Sequence, residues 1–325
     1  MTRYDLSQWD STIRVIAEAD EVALATHVNP DGDALGSLMA ATLGLQQLGK
    51  KTHATWGTRG LTVPYSYTFL PGIGSVVDPD DLPDVDTVLA LDCGAADRLG
   101  ELEKYAKGAA NLINVDHHPG NENFGTHNLV VTTASSTAEI VARLLQDLGV
   151  DIDQSIATCL YTGIVTDTGR FQYSNSSPDT LRLAADLLEF GVDAQAVAHE
   201  VFESSPFNFL KLTGRVLDRA VLIEEESFVY SWFTRADLAE TGVSIDETEK
   251  LIDLVRQTRA ATVAALFKEN EDGRFRVSLR SKGPASVGHV ARALGGGGHE
   301  LAAGFTTETV ERGVADIRRL LDENS

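Results

Sequence analysis

Three short apolar runs, each leading into an acidic or imidazole side chain, constrain this chain more than any other feature. Val22-Ala23-Leu24-Ala25 leads into Thr26-His27, Val88-Leu89-Ala90-Leu91 into Asp92, and Leu112-Ile113-Asn114-Val115 into Asp116-His117-His118. Runs this short and this apolar read as strands buried on both faces. The segments between them carry helical spacing. Residues 34–48 place Leu35, Leu38, Met39, Thr42 and Leu45 on one face before Gly49 stops the helix, with Asp33 as its expected N-cap. Alternation of strand and helix predicts an α/β fold with a mostly parallel sheet covered on both sides.

The same reading extends along the chain. Residues 21–26, 51–55, 85–91 and 112–115 are expected strands, and 136–148 and 155–165 are expected helices. From residue 178 to about 219 the pattern is helical. Residues 221–223 and 228–233 then open a second, smaller α/β unit. Its later strands, 262–268 and 274–280, are joined by the hairpin turn Asn270-Glu271-Asp272-Gly273. A helix over 287–294 leads into Gly295-Gly296-Gly297-Gly298-His299, and a last helix covers 310–321. We therefore expect a first domain over 1–190, a helical connector over 191–219 and a second, smaller domain over 220–325.

Composition narrows the class. The chain has 325 residues and a formal net charge of −21. Residues 1–219 hold 14 basic and 30 acidic groups, a net −16, against −5 for the remainder. Such a surface repels long nucleic acid, whose binding depends on Lys and Arg neutralising phosphates. It does not exclude a small anion, because bound cations supply local positive charge. No apolar run approaches the roughly 18 residues that would span a bilayer. Cys93 and Cys159 read as small buried residues of a reducing compartment. We expect a cytoplasmic protein with no membrane partner.

The acids and imidazoles recur in four short motifs, H-V-N-P-D-G-D, L-D-C-G, D-H-H and T-D-T-G, which hold His27, Asp31, Asp33, Asp92, Asp116, His117, His118 and Asp167. Each has a plainer reading beside the functional one. Asn-Pro-Asp-Gly is a good turn, Asp92 could cap a strand end, D-H-H could be a hydrogen-bonded loop, and Asp167 could end a helix. Yet charged groups just beyond the ends of several buried strands are where open α/β sheets place their chemistry. Oxygen and imidazole donors without thiolates suit a hard or borderline ion such as Mn²⁺, and Mg²⁺ less well. Gly295–Gly298 before His299 reads as a mobile loop or as a cradle of N–H groups for a phosphate or carboxylate. Arg280-Ser281-Lys282 reads as a solvated edge or as an added anion contact.

Taken together, the four motifs resemble in order and spacing those of the DHH/DHHA1 phosphoesterases. S-L-R-S-K-G and G-G-G-G-H-E-L-A-A-G resemble the C-terminal substrate-binding domain of that family. The resemblance covers essentially the whole chain, with no departure at the metal positions. It implies one Mn²⁺ held by His27, Asp31 and Asp92 and another by Asp33, Asp92, His117 and Asp167, with Mg²⁺ or Co²⁺ as substitutes. Asp92 would bridge, Asp116 would support the site, and His118 would contact the scissile phosphate or assist the leaving group. Arg280, Ser281, Gly296, Gly297, Gly298 and His299 would bind the far end of the substrate across a cleft between the domains.

The compact two-domain form is similar to members that hydrolyse short oligoribonucleotides of two to five nucleotides. Those members also remove the 3′-phosphate of adenosine 3′,5′-bisphosphate, and some cleave cyclic di-AMP or its linear product pApA. A short RNA or small nucleotide is thus the expected partner, with a homodimer as the expected assembly. The alternatives are a pyrophosphatase or exopolyphosphatase of the same superfamily and a non-catalytic nucleotide sensor. The intact ligand set argues against the sensor.

Overall fold

The computed structural model describes residues 6–322, which divide into two compact units at residues 204 and 205. In the first unit the chain runs α1 (Leu6–Glu18), β1 (Glu21–Thr26), α2 (Gly32–Gln47), β2 (Lys51–Trp56), β3 (Thr87–Leu91), α3 (Glu103–Gly108), β4 (Asn111–Asp116), β5 (His127–Val130), α4 (Thr137–Asp147), α5 (Gln154–Asp167), α6 (Pro178–Glu189) and α7 (Ala194–Ala198). Its five strands form one parallel sheet in the order β2-β1-β3-β4-β5. The expected fold class is the observed one.

Alternate residues of each central strand feed two cores. Val22 and Leu24 of β1, Leu89 and Leu91 of β3, and Ile113 and Val115 of β4 pack with α2, α4 and α5. Ala23 and Ala25, Val88 and Ala90, and Leu112 face the opposite side with Leu99, Leu102 and Ala106. Burial on both faces explains why the strands read as continuous apolar runs. α2 and α5 approach so closely that a Cβ on Gly36 would lie 2.5 Å from the Cys159 carbonyl oxygen. The strand order reverses between β1 and β3, which opens a crevice at their C-terminal ends.

The second unit runs α8 (Phe207–Asp218), β6 (Val221–Ile223), β7 (Phe228–Phe233), α9 (Arg235–Thr241), α10 (Leu251–Val255), β8 (Val263–Glu269), β9 (Phe275–Ser281), α11 (Val287–Ala293), β10 (Gly297–Gly298), β11 (Ala302–Thr307) and α12 (Val310–Asp322). Its six-stranded sheet has the order β10-β11-β9-β8-β7-β6 and is antiparallel except between β7 and β8. α11 and α12 cover one face, and α8, α9 and α10 the other. The hairpin turn at 270–273 forms, with the Asn270 amide bonded to the Arg274 carbonyl at 2.8 Å and Gly273 at φ +78°. The stretch 191–219 divides between the units. Val197 and Val201 enter the first core, whereas Phe209, Leu212 and Val216 of α8 enter a core of the second. Among the described residues no helix is long and apolar enough to cross a membrane.

Candidate metal centre

Every strand end on either side of the crevice delivers a polar side chain into it. His27 follows β1 and is buried. Its Nδ1 donates to the Val28 carbonyl at 2.9 Å, which leaves Nε2 free of a proton in the neutral ring and aimed at Asp92. Asp92 follows β3 with φ +56°, a left-handed conformation rare for a residue with a side chain. Its amide donates to the Val115 carbonyl at 3.0 Å, which fixes the turn and keeps the carboxylate in the crevice. Asp116 ends β4 fully buried, and His117 and His118 follow it.

The helices supply the rest. Asp31, not the expected Asp33, caps α2, with its Oδ1 accepting from the amides of Asp33 at 3.0 Å and Ala34 at 3.1 Å. Both acids suit a cap; Asp31 has the extended backbone that a cap needs, and Asp33 is already in the first turn. Asp33 is thereby free to face the crevice. It accepts from the Thr137 amide at 2.7 Å and the Ala138 amide at 2.9 Å, the unpaired donors at the start of α4. Asp167 is the last residue of α5, not a cap beyond it, and its Oδ2 accepts from Asn175 Nδ2 at 3.2 Å.

The donor atoms form two groups around Asp92. His27, Asp31 and Asp92 bring one atom each within 4.8 Å of one another, as do Asp33, Asp92 and His117. His27 Nε2 is 3.6 Å from Asp92 Oδ2. His117 Nε2 is 3.7 Å from Asp92 Oδ1, 3.7 Å from Asp167 Oδ2 and 3.9 Å from Asp33 Oδ2. These separations are too long for hydrogen bonds. They are close to the distance between neighbouring ligands on a cation with bonds of about 2.1–2.2 Å, roughly 3.0–3.6 Å. Among the described residues the cationic groups within 4.0 Å of Asp33, Asp92 and Asp167 are imidazoles, not Lys or Arg. An all-oxygen and imidazole set of this kind fits divalent cations, with one Asp92 oxygen turned to each group.

Electrostatics gives the same picture. Burial and the neighbouring carboxylates Asp92, Asp167 and Asp31 push the Asp33 carboxyl well above its ordinary range. Burial also raises Asp167, to about 7, with Asp31 and Asp92 adding to it and His117 and His118 opposing. Burial works against the charged form of Asp92 too, but His27, His118 and His117 outweigh it and hold this carboxyl below its usual range. Burial would lower the His27 imidazole, yet Asp92 and Asp31 raise it. The site is short of positive charge.

His118 is also close to the shared carboxylate, its Nδ1 3.7 Å from Asp92 Oδ1, but that nitrogen is already committed elsewhere. Its Nδ1 donates to Asp116 Oδ1 at 2.6 Å, and the ring is 30% exposed. Burial opposes protonation, but Asp116, with Asp92 and Asp167, lifts the imidazole to about 9. Asp116 Oδ2 in turn accepts from Asn121 Nδ2 at 2.6 Å. Asn121 was not legible beforehand, and neither was Thr137, whose hydroxyl donates to Asp92 Oδ1 at 2.9 Å. Asn121, three residues past His118 in a Pro-Gly turn, carries the better clue of the two.

In the second unit, Arg280 lies on β9 opposite Ala302, and His299 lies in the turn between β10 and β11. Ser281 is buried, its hydroxyl donating to the Gly283 carbonyl and accepting from the Gly283 amide, each at 3.2 Å. Gly297 and Gly298 pair with Gly304 and Ala303, so the glycine run is half hairpin. Gly296 is pressed against β11, where a Cβ would come 2.1 Å from the Gly304 carbonyl oxygen.

Comparison with known proteins agrees with this architecture. Residues 21–164 match the DHH family N-terminal domain, and residues 225–324 match the DHHA1 domain. A Thermus thermophilus protein named bifunctional oligoribonuclease and PAP phosphatase NrnA is 33% identical over 309 residues, covering 93% of this chain and 90% of its own. A Bacillus subtilis protein of the same name is 30% identical over 320 residues, covering 96% and 98%. The crystal structure of an exopolyphosphatase-related protein from Bacteroides fragilis superposes with a TM-score of 0.91 at 24% identity, covering 99% of this chain and 98% of that one.

Proposed function

This chain belongs to the DHH family and is a phosphoesterase, a hydrolase, and from that premise we propose a two-metal enzyme of short nucleotide substrates. It hydrolyses RNAs of two to five nucleotides to mononucleotides and removes the 3′-phosphate of adenosine 3′,5′-bisphosphate. Cyclic di-AMP and pApA, cleaved to AMP, complete the substrate set. The names of the relatives support the first two activities. The observation that carries the reading is the sharing of Asp92 between two donor groups.

His27, Asp31 and Asp92 would hold one Mn²⁺, and Asp33, Asp92, His117 and Asp167 the other. When bound, the ions lower the pKa of water and neutralise charge on the phosphoryl oxygens. The protein's part is positional. Thr137 orients Asp92, and the α4 amides orient Asp33. Asn121 fixes Asp116, which fixes the His118 ring by its Nδ1 proton. His118 then offers its Nε2 proton to the leaving oxygen as the P–O bond breaks. Water provides the new P–O bond, so no enzyme-bound phosphoryl group is needed.

We assign chemistry to the first unit and affinity to Arg280, Ser281, His299 and Gly296–Gly298 of the second. A cytoplasmic homodimer is the proposed working form. The test offers the purified, Mn²⁺-loaded protein a dinucleotide RNA, adenosine 3′,5′-bisphosphate and cyclic di-AMP at equal concentration. Chromatography should show AMP or other mononucleotides from all three. Turnover of pyrophosphate or polyphosphate with none of these nucleotides would reject the reading.

A further inference from the structure

Glu139 is a buried acid whose described hydrogen-bond partners are all neutral. It is the third residue of α4, where Ser136 caps the helix and its hydroxyl accepts from the Glu139 amide at 3.2 Å. Ser-x-x-Glu at a helix start ordinarily closes a capping box, the glutamate bonding back to the cap residue's own amide. Here the carboxylate reaches one residue further. Its Oε2 accepts from the Ser135 amide at 3.0 Å and the Ser135 hydroxyl at 2.6 Å. The same oxygen accepts from the Thr180 hydroxyl at 3.1 Å, which ties the first turn of α6 to the start of α4. Glu139 is 8% exposed, and Ser135 and Thr180 are fully buried.

Three neutral donors compensate the burial of this carboxylate. A cap alone would not need the longer reach; what the reach secures is the Ser135 carbonyl. Asn175 Nδ2 donates to that carbonyl at 2.7 Å, and the same NH2 group donates to Asp167 Oδ2 and to the Asp167 carbonyl, each at 3.2 Å. Asn175 Oδ1 is buried and accepts no bond from the described residues, so the amide's orientation depends on what its NH2 group meets. The Ser135 carbonyl is the shortest of those contacts. Asp167 needs such a brace. α5 ends at it, and Gly169, Arg170 and Phe171 beyond have φ of +56°, +64° and +62°. Residues with side chains adopt that conformation in succession only when their surroundings hold them there.

We infer that Glu139 is a positioning residue for Asp167, acting through Ser135 and Asn175, and that it sets the affinity of the group Asp33, Asp92, His117 and Asp167 for its cation. The inference rests on the proposed two-metal reading and adds a residue on which one ion depends and the other does not. It differs from a purely structural role in a measurable way. A carboxylate that only braced α4 against α6 would change stability and leave both ions alone.

The test titrates the metal-stripped, full-length protein with Mn²⁺ and follows the free ion by electron paramagnetic resonance. Glu139→Leu keeps the bulk and removes the acceptor. It should weaken one of the two ions about tenfold and leave the other unchanged, in a chain that circular dichroism shows to be folded. Glu139→Gln can set its carbonyl oxygen where Oε2 lies and should restore most of the loss. Asn175→Ala should weaken the same ion, and Glu139→Leu combined with Asn175→Ala should bind it no worse than Asn175→Ala alone. Thr180→Val removes one of the three bonds to Oε2 and should cost about threefold at that ion. This milder variant decides the matter if Glu139→Leu does not fold. Unchanged affinities, equal loss at both ions, or additive losses in the double variant overturn the relay. A wild-type protein that binds a single ion rejects the two-metal reading instead, and the relay falls with it.

Discussion

The two units treat buried charge in opposite ways. In the first, Asp33, Asp92 and Asp167 converge with imidazoles at 3.6–3.9 Å, and among the described residues no Lys or Arg forms an ion pair with them. In the second, Asp237 is just as buried, yet Arg219 and Arg215 and the Thr234 amide and hydroxyl all bond to it. A paired acid holds the fold together; an unpaired set is held open by the fold for a cation. Perturbed charge marks function only where its compensation is missing.

Substitutions can break this contrast. The largest effect should come from Asp92→Ala, which removes an oxygen from each donor group. Activity should fall by at least about a thousandfold, equivalent to about 4 kcal/mol in the barrier. Circular dichroism should still show a folded chain, and activity within a few-fold of wild type would remove the reason for two ions.

Thr137→Val keeps the α4 amides on Asp33 but deletes the hydroxyl on Asp92. Metal affinity should weaken by about 10–100-fold, the usual loss when a group orienting a ligand is removed, and Thr137→Ser should recover it. Isothermal titration with Mn²⁺ distinguishes this from a mere loss of stability.

His299→Ala should raise KM for a dinucleotide by about tenfold, roughly 1.4 kcal/mol of binding, with both metals retained. Loss of metal with unchanged KM would place the boundary between chemistry and affinity elsewhere.

Asp237→Asn should leave activity untouched while costing about 2 kcal/mol of stability in the second unit. Arg219, opposed by burial and aided by Thr234 and Arg215, holds the Asp237 carboxyl well below the ordinary carboxylate range. A depressed folded-state pKa stabilises above the unfolded value, so this contribution is lost as pH falls below about 4. The variant should therefore show a flatter decline in melting temperature between pH 5 and 3 than the parent.

What could be read in advance follows from how local each determinant is. His27, Asp92 and Asp116 each end an apolar run, and strand periodicity alone puts them at one edge of a sheet. The exchange of roles between Asp31 and Asp33 was not legible, because two acids one residue apart both suit a helix start. Thr137 acts through a hydrogen bond to Asp92, 45 residues away in another motif, and no sequence pattern encodes such a bond; Asn121 and Asn175 hold Asp116 and Asp167, only five and eight residues back, where an asparagine in a turn is the sole local clue. β5 escaped because His127-Asn128-Leu129-Val130 is short and half polar, an edge strand with little to bury.

The central claim is that two cations share Asp92. Titrating metal-stripped protein with Mn²⁺, and following free ion by its electron paramagnetic resonance signal, measures it directly. The account predicts two ions bound per chain in the wild type and loss of tight binding at both positions in Asp92→Ala. A single bound ion in the wild type, or two ions retained tightly by the variant, would contradict it.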